Sequence, residues 1–271
     1  MHIIESYVCG KHPDQSLCED GYVVTPHFAA VIDGSTSKVK GRNGGRTAMR
    51  LVKDAIGSLP PDAGKEEMLA SLTQVLAGHN PPEAATQAAY RLTCSAAIFS
   101  RRRRVAWMVG DCQCRWEGKT HTHPKAVDTL LTEARCDAIH YLLQHGHTVE
   151  DIRRNDLGRA FILDVLRMQT HFQNDRTPGN PFAYPVLDGT CIDPHKVPEL
   201  TVQPSADCII LASDGYPTVC DTLRESESEL ARLLKEDPLC IGENAGTKGW
   251  TEGNLSFDDR CYLKLDITGT P

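Results

Sequence analysis

Apolar residues fall in short blocks along this 271-residue chain, and the spacing inside each block separates strands from helices. Tyr22-Val23-Val24 and Phe28-Ala29-Ala30-Val31-Ile32 are continuous β-type runs joined by Thr25-Pro26-His27, which predicts a hairpin ending at Asp33-Gly34. Thr93 to Phe99 and Val105 to Val109 flank the basic run Arg101 to Arg104 and predict a second hairpin ending at Gly110-Asp111. Cys208 to Ala212 is an apolar run of strand length that stops at Ser213-Asp214-Gly215, and Cys261 to Leu265 predicts a last strand directly after Asp258-Asp259. Helical spacing governs the segments between. It predicts helices from Gly45 to Ile56, Lys65 to Leu76, Ala126 to Gln144 and Leu157 to Phe172, another from Pro81-Pro82 through Ala89, and a polar one over about 222 to 235. The Gly- and Pro-rich stretch 178 to 198 predicts a loop.

Hairpins interleaved with pairs of helices lack the regular alternation of a parallel sheet, so the pattern predicts an α+β fold of stacked antiparallel sheets with outer helices. Breaks in composition at 34 to 44, 57 to 65 and 178 to 198 have the length of surface loops, and the chain is expected to form a single domain over residues 1 to 271. No apolar run approaches the ~18 residues of a membrane span, and the opening MHIIESYVCG has neither the basic start nor the apolar stretch of a secretion signal, so a soluble, cytoplasmic protein without membrane partners is expected. A net charge of -7 argues against a nucleic-acid surface, and Arg101 to Arg104 reads as a solvated turn. Eleven cysteines, an odd number at irregular spacing, read as reduced and mostly buried thiols. Cys112, Cys114, His121 and His123 lack the Cys-x2-Cys pair of a structural zinc site, and no cysteine has an arginine six residues on to serve a cysteine-dependent phosphatase.

The chemistry lies in where the acids fall. Glu19-Asp20 precedes one probable strand, Asp33, Asp111 and Asp214 follow others, and Asp258-Asp259 precedes the last. Strands pack side by side, so acids at corresponding ends can converge although they are far apart in sequence. Converging carboxylates raise one another's pKa unless cations sit among them. Oxygen ligands without a histidine cluster suit magnesium or manganese, and several carboxylates could hold two ions, an arrangement that activates water for in-line attack on phosphorus.

In order, these motifs resemble the metal-dependent type 2C serine/threonine protein phosphatases. Cys18-Glu19-Asp20-Gly21 is similar to that family's Glu-Asp motif, and Phe28 to Gly34 to its strand ending in Asp-Gly. Cys94-Ser95-Ala96-Ala97 and Val109-Gly110-Asp111 resemble its central hairpin and Gly-Asp. Leu211-Ala212-Ser213-Asp214-Gly215 matches its Leu-Ala-Ser-Asp-Gly signature, and Asp258-Asp259 its last acidic pair. The resemblance implies a four-layer αββα sandwich and hydrolysis of phosphoserine or phosphothreonine in proteins by a metal-activated water. It implies that Asp33 bridges two ions, that the Gly34 carbonyl binds one, and that Asp214 and Asp258 complete the other's shell. Asp20 and Glu19 would act through bound water, and Asp111 with Asp214 would hold a weaker third ion.

Three positions depart from the pattern. Ser35 stands where the family often has His-Gly-Gly, followed by a polar insertion before Gly44-Gly45. No arginine occurs in residues 5 to 19 to hold substrate phosphate; Lys11 is the nearest cation, with Lys38, Arg42 and Arg46 as alternatives. Cys112-Gln113-Cys114-Arg115 replaces the Ser-Arg that often follows Gly-Asp. Two other readings therefore stand beside the first: an inactive relative that binds a partner or signalling ligand, and a phosphatase for a small phosphorylated metabolite.

Overall fold

The computed structural model describes residues 1–37, 39, 41 and 43–269. In chain order its elements are β1 (His2–Cys9), β2 (Asp20–Val24), β3 (Phe28–Gly34), α1 (Gly44–Gly57), α2 (Lys65–His79), β4 (Cys94–Ser100), β5 (Val105–Val109), β6 (Gln113–Trp116), β7 (Lys119–His121), α3 (Ala126–Gln144), α4 (Val149–Asn155), α5 (Leu157–Met168), β8 (Glu199–Thr201), β9 (Cys208–Ala212), α6 (Leu223–Glu236) and β10 (Arg260–Asp266). The strands form two five-stranded sheets, ordered β2-β3-β4-β5-β8 and β1-β10-β9-β6-β7, with neighbours antiparallel.

Side chains on a strand alternate between faces, and here both faces are covered, which is why the central strands read as unbroken apolar runs. Along β3, Phe28, Ala30 and Ile32 face outward onto Val52 and Ile56 of α1 and Met68 and Leu72 of α2. Ala29 and Val31 face inward, where they meet Ile209 and Leu211 of β9 and Leu263 of β10. The other face of β9 carries Ile210 and Ala212 against Leu230 and Leu233 of α6. The layers thus run helix, sheet, sheet, helix, the αββα sandwich that the sequence predicts.

Several elements differ from expectation. The helix expected from Pro81 to Ala89 is instead two short 3-10 turns, Pro82–Ala85 and Ala88–Tyr90. Strands β1, β6, β7 and β8 and helix α4 are additional. Helix α4 opens on a capping box, in which Thr148 and Asp151 each accept from the other's backbone N–H. The middle helices also do not lie flat on a sheet: α3 packs on α5, through Val127, Leu131, Ile162 and Leu166, and with α4 through Ile139, Leu142 and Ile152. This group forms a wall beside the sheet ends. All eleven cysteines are free thiols.

Candidate active site

The register of β2, β3 and β4 sets Asp20 opposite Asp33 and Asp33 opposite Ser95. All three share the inward face, at the end of the row begun by Ala29 and Val31. Directly opposed residues have Cβ atoms only ~4.5–5.5 Å apart, and like charges placed so repel. Asp20 is 4% exposed, and neither of its carboxylate oxygens has a hydrogen-bond partner, although the Ser213 hydroxyl favours its ionised form. Burial pushes its carboxyl up to about 7, helped by Asp259 and Asp214. Burial and the charges of Asp20, Asp214 and Asp111 likewise raise Asp33 well above the ordinary carboxylate range. Asp111 behaves in the opposite way. Burial alone would raise it, but the Lys125 ammonium at 2.5 Å and the Ser95 hydroxyl, donating at 2.6 Å, bring it down to about 2.

Glycines let these sheet ends meet. Gly110, ahead of Asp111, has φ +84 and lies so close to the Ser95 side chain that a Cβ would collide with it. A Cβ at Gly215, after Asp214, would run into the Asp259 carbonyl. The two acids of the last pair have separate tasks. Asp259 accepts from the backbone N–H groups of Lys11, at 2.7 Å, and Glu19, at 3.0 Å, and so ties the N-terminal segment to β10. Asp258 turns to the cleft, where Lys11 reaches it at 2.7 Å and Lys248 also pairs with it. Glu19 is buried behind the row, its carboxylate accepting from the Thr36 hydroxyl at 2.6 Å.

A cleft of 330 Å³ opens over this row. Of the residues singled out in the sequence, Asp33, Gly34, Asp111, Asp214, Asp258 and Lys11 line it, while Asp20 and Glu19 lie beneath. Arg46 is not among the lining residues, and Lys38 and Arg42 lie outside the described residues. The opposite wall comes from the α3 to α5 group and the 237–257 loop, which bring Lys125, Asp128, Arg159 and Lys248 into the cleft. Arg135, fully buried, fixes that loop by donating to the carbonyls of Leu239, Cys240 and Gly246 and to Asp156. No local sequence signal marks these cations, because packing between distant segments delivers them.

The donor set suits a hard divalent cation: closely opposed carboxylates, one of them buried with both oxygens unpartnered, with Gly34 lining the same cleft. As the side chains stand, no group of three or more His, Cys, Asp or Glu among the described residues is arranged to hold an ion. Lysines supply the countercharge instead, Lys125 on Asp111 and Lys11 with Lys248 on Asp258. Cys112 and Cys114 are buried between the sheets, and the His121 ring stacks on Trp116, so these residues serve packing.

No family model matches the chain, and no curated protein matches it. Solved structures share its fold. The serine/threonine phosphatase Stp1 from Staphylococcus aureus superposes with a TM-score of 0.50 at 14% identity, covering 99% of this chain and 96% of that one. The Mycobacterium tuberculosis serine/threonine phosphatase PstP/Ppp gives 0.49 at 14% identity, covering 99% and 100%. PppA of Pseudomonas aeruginosa, a regulatory component of its T6SS, gives 0.48 at 14%, covering 96% and 95%.

Proposed function

We propose that this protein is a phosphomonoester hydrolase of the type 2C kind, dependent on magnesium or manganese, that dephosphorylates phosphoserine or phosphothreonine in proteins. The observation that carries the reading is the opposed pair Asp20 and Asp33 at the floor of the cleft, with both Asp20 oxygens buried and unpartnered. The order of the acidic motifs along the chain and the fold shared with a serine/threonine phosphatase support it.

Asp20, Asp33 and the Gly34 carbonyl from one sheet, with Asp214 and Asp258 from the other, would hold the metal. A divalent ion there lowers the pKa of a water and withdraws charge from phosphoryl oxygens. The remaining residues shape and charge the cleft. Ser95 and Lys125 keep Asp111 ionised, and Thr36, bonded to Glu19, positions the Lys11 ammonium at 3.2 Å. A cysteine nucleophile has no support: burial pushes the Cys94, Cys112 and Cys261 thiols well above their ordinary range, leaving them protonated. Among the described residues no helix is long and apolar enough to cross a membrane.

The pairing of two lysines with Asp258 favours one rival, a relative that binds a partner without turning it over. Hydrolysis of a generic aryl phosphate separates the two. Metal-dependent turnover that chelator abolishes and Asp33→Asn removes supports the hydrolase, whereas folded protein with neither turnover nor manganese binding supports the rival.

A further inference from the structure

Among the described residues, five cationic side chains line the cleft: Lys11, Arg91, Lys125, Arg159 and Lys248. Four are matched to carboxylates, Lys11 and Lys248 to Asp258, Lys125 to Asp111, and Arg91 to Asp188 at 3.0 Å. Arg159 is not. Among the described residues its side chain is bonded to one neutral group, the Thr247 carbonyl, at 2.9 Å. The nearby Asp156 carboxylate is engaged elsewhere, with the Arg135 guanidinium at 3.0 Å and the Arg159 main-chain N–H at 3.2 Å.

We infer that Arg159 is the residue that binds the substrate's phosphate group, taking the part that an arginine in the N-terminal segment would otherwise play. The inference rests on the phosphatase reading. A guanidinium offers parallel N–H donors that match two phosphoryl oxygens, and its charge persists at any working pH. Lys11, Lys125 and Lys248 would each have to leave a carboxylate to do the same, whereas Arg159 keeps donors beyond the one given to Thr247. Its placement is built from behind. Asp156 caps the first turn of α5, Arg135 pins both Asp156 and the 239–246 carbonyls, and Thr247 follows directly from that pinned stretch. Arg159 is thereby aimed before substrate arrives, which limits the ordering cost of binding.

The test compares the full chain with Arg159→Met, Arg159→Lys and Lys11→Met in manganese, reading kcat and KM for an aryl phosphate and the inhibition constant of inorganic phosphate. Arg159→Met is expected to raise KM and the phosphate inhibition constant by about tenfold or more, in line with loss of a charge-assisted hydrogen bond. Arg159→Lys recovers part of this, and Lys11→Met moves both constants less. Active enzyme whose phosphate inhibition constant is unchanged in Arg159→Met overturns the inference and leaves the phosphatase reading standing. Should the Met variant not fold, Arg159→Lys decides by the same constant: a rise of several-fold supports the assignment and an unchanged value overturns it. A folded wild type that neither hydrolyses the ester nor binds phosphate overturns both.

Discussion

Replacing Asp20 with Asn should make the metal-free protein more stable, although it removes a residue of the proposed metal site. Asp20 faces Asp33 across a strand pair, is nearly inaccessible to water and has no hydrogen-bond partner for either oxygen. Folding displaces its carboxyl from 3.8 to about 7. At ~1.4 kcal/mol for each pH unit of displacement, the ionised carboxylate costs the fold at most ~4 kcal/mol. Relaxation and water entry reduce that ceiling, so a gain of roughly 2 kcal/mol is expected from Asn. The sign with pH follows from the raised value. The proton binds more tightly in the folded state, so the penalty is absent below 3.8, grows as pH rises and is complete above about 7. Urea unfolding in EDTA should show the variant more stable than wild type near about pH 8, with the gap narrowing towards about pH 5. Added manganese should stabilise the wild type strongly and the variant much less. A variant less stable than wild type near about pH 8 in EDTA would refute the reasoning, since it would mean the carboxylate is already satisfied.

Two further outcomes follow from the surrounding structure. Arg135→Met leaves three loop carbonyls and the Asp156 carboxylate without their donor, so it should cost about 3–5 kcal/mol in urea unfolding and expose the 239–249 loop to limited proteolysis. Glu227 is held below its ordinary 4.5, against the pull of burial, by the Arg260 guanidinium at 2.8 and 3.0 Å and the Tyr216 hydroxyl. Its contribution is present above 4.5 and lost as pH falls through the depressed value. Glu227→Gln should therefore lower stability by about 1–2 kcal/mol at neutral pH, and a difference that persists undiminished in acid would contradict the assignment.

The acids were legible because each is written next to a strand that the apolar pattern reveals. Phe28 to Ile32 and Ile209 to Ala212 are buried on both faces, so their strands, and hence the positions of Asp33 and Asp214, could be read directly. Strand β1 could not: it is the edge strand of its sheet, with Ile3 and Ile4 about half exposed at 47% and 51%, and it gives no clean alternation. Strand β8 has three residues and follows a Pro-rich loop, too short for a periodic signal. At Pro81-Pro82 the prolines open a 3-10 turn and not the α-helix that the spacing predicts. The cations of the cleft were the least legible part. Lys125 stands just before α3, Arg159 in the first turn of α5 and Lys248 in the loop before β10. Each looks like an ordinary surface charge until the α3 to α5 group folds against the sheet ends.

Phosphate release from a phosphothreonine peptide, measured with manganese, with magnesium and with chelator for wild type beside Asp33→Asn, decides whether the protein is a metal-dependent phosphatase. Turnover should need the metal and fall to background in Asp33→Asn while the variant keeps its fold. Full activity in Asp33→Asn, or hydrolysis that persists in chelator, would contradict it.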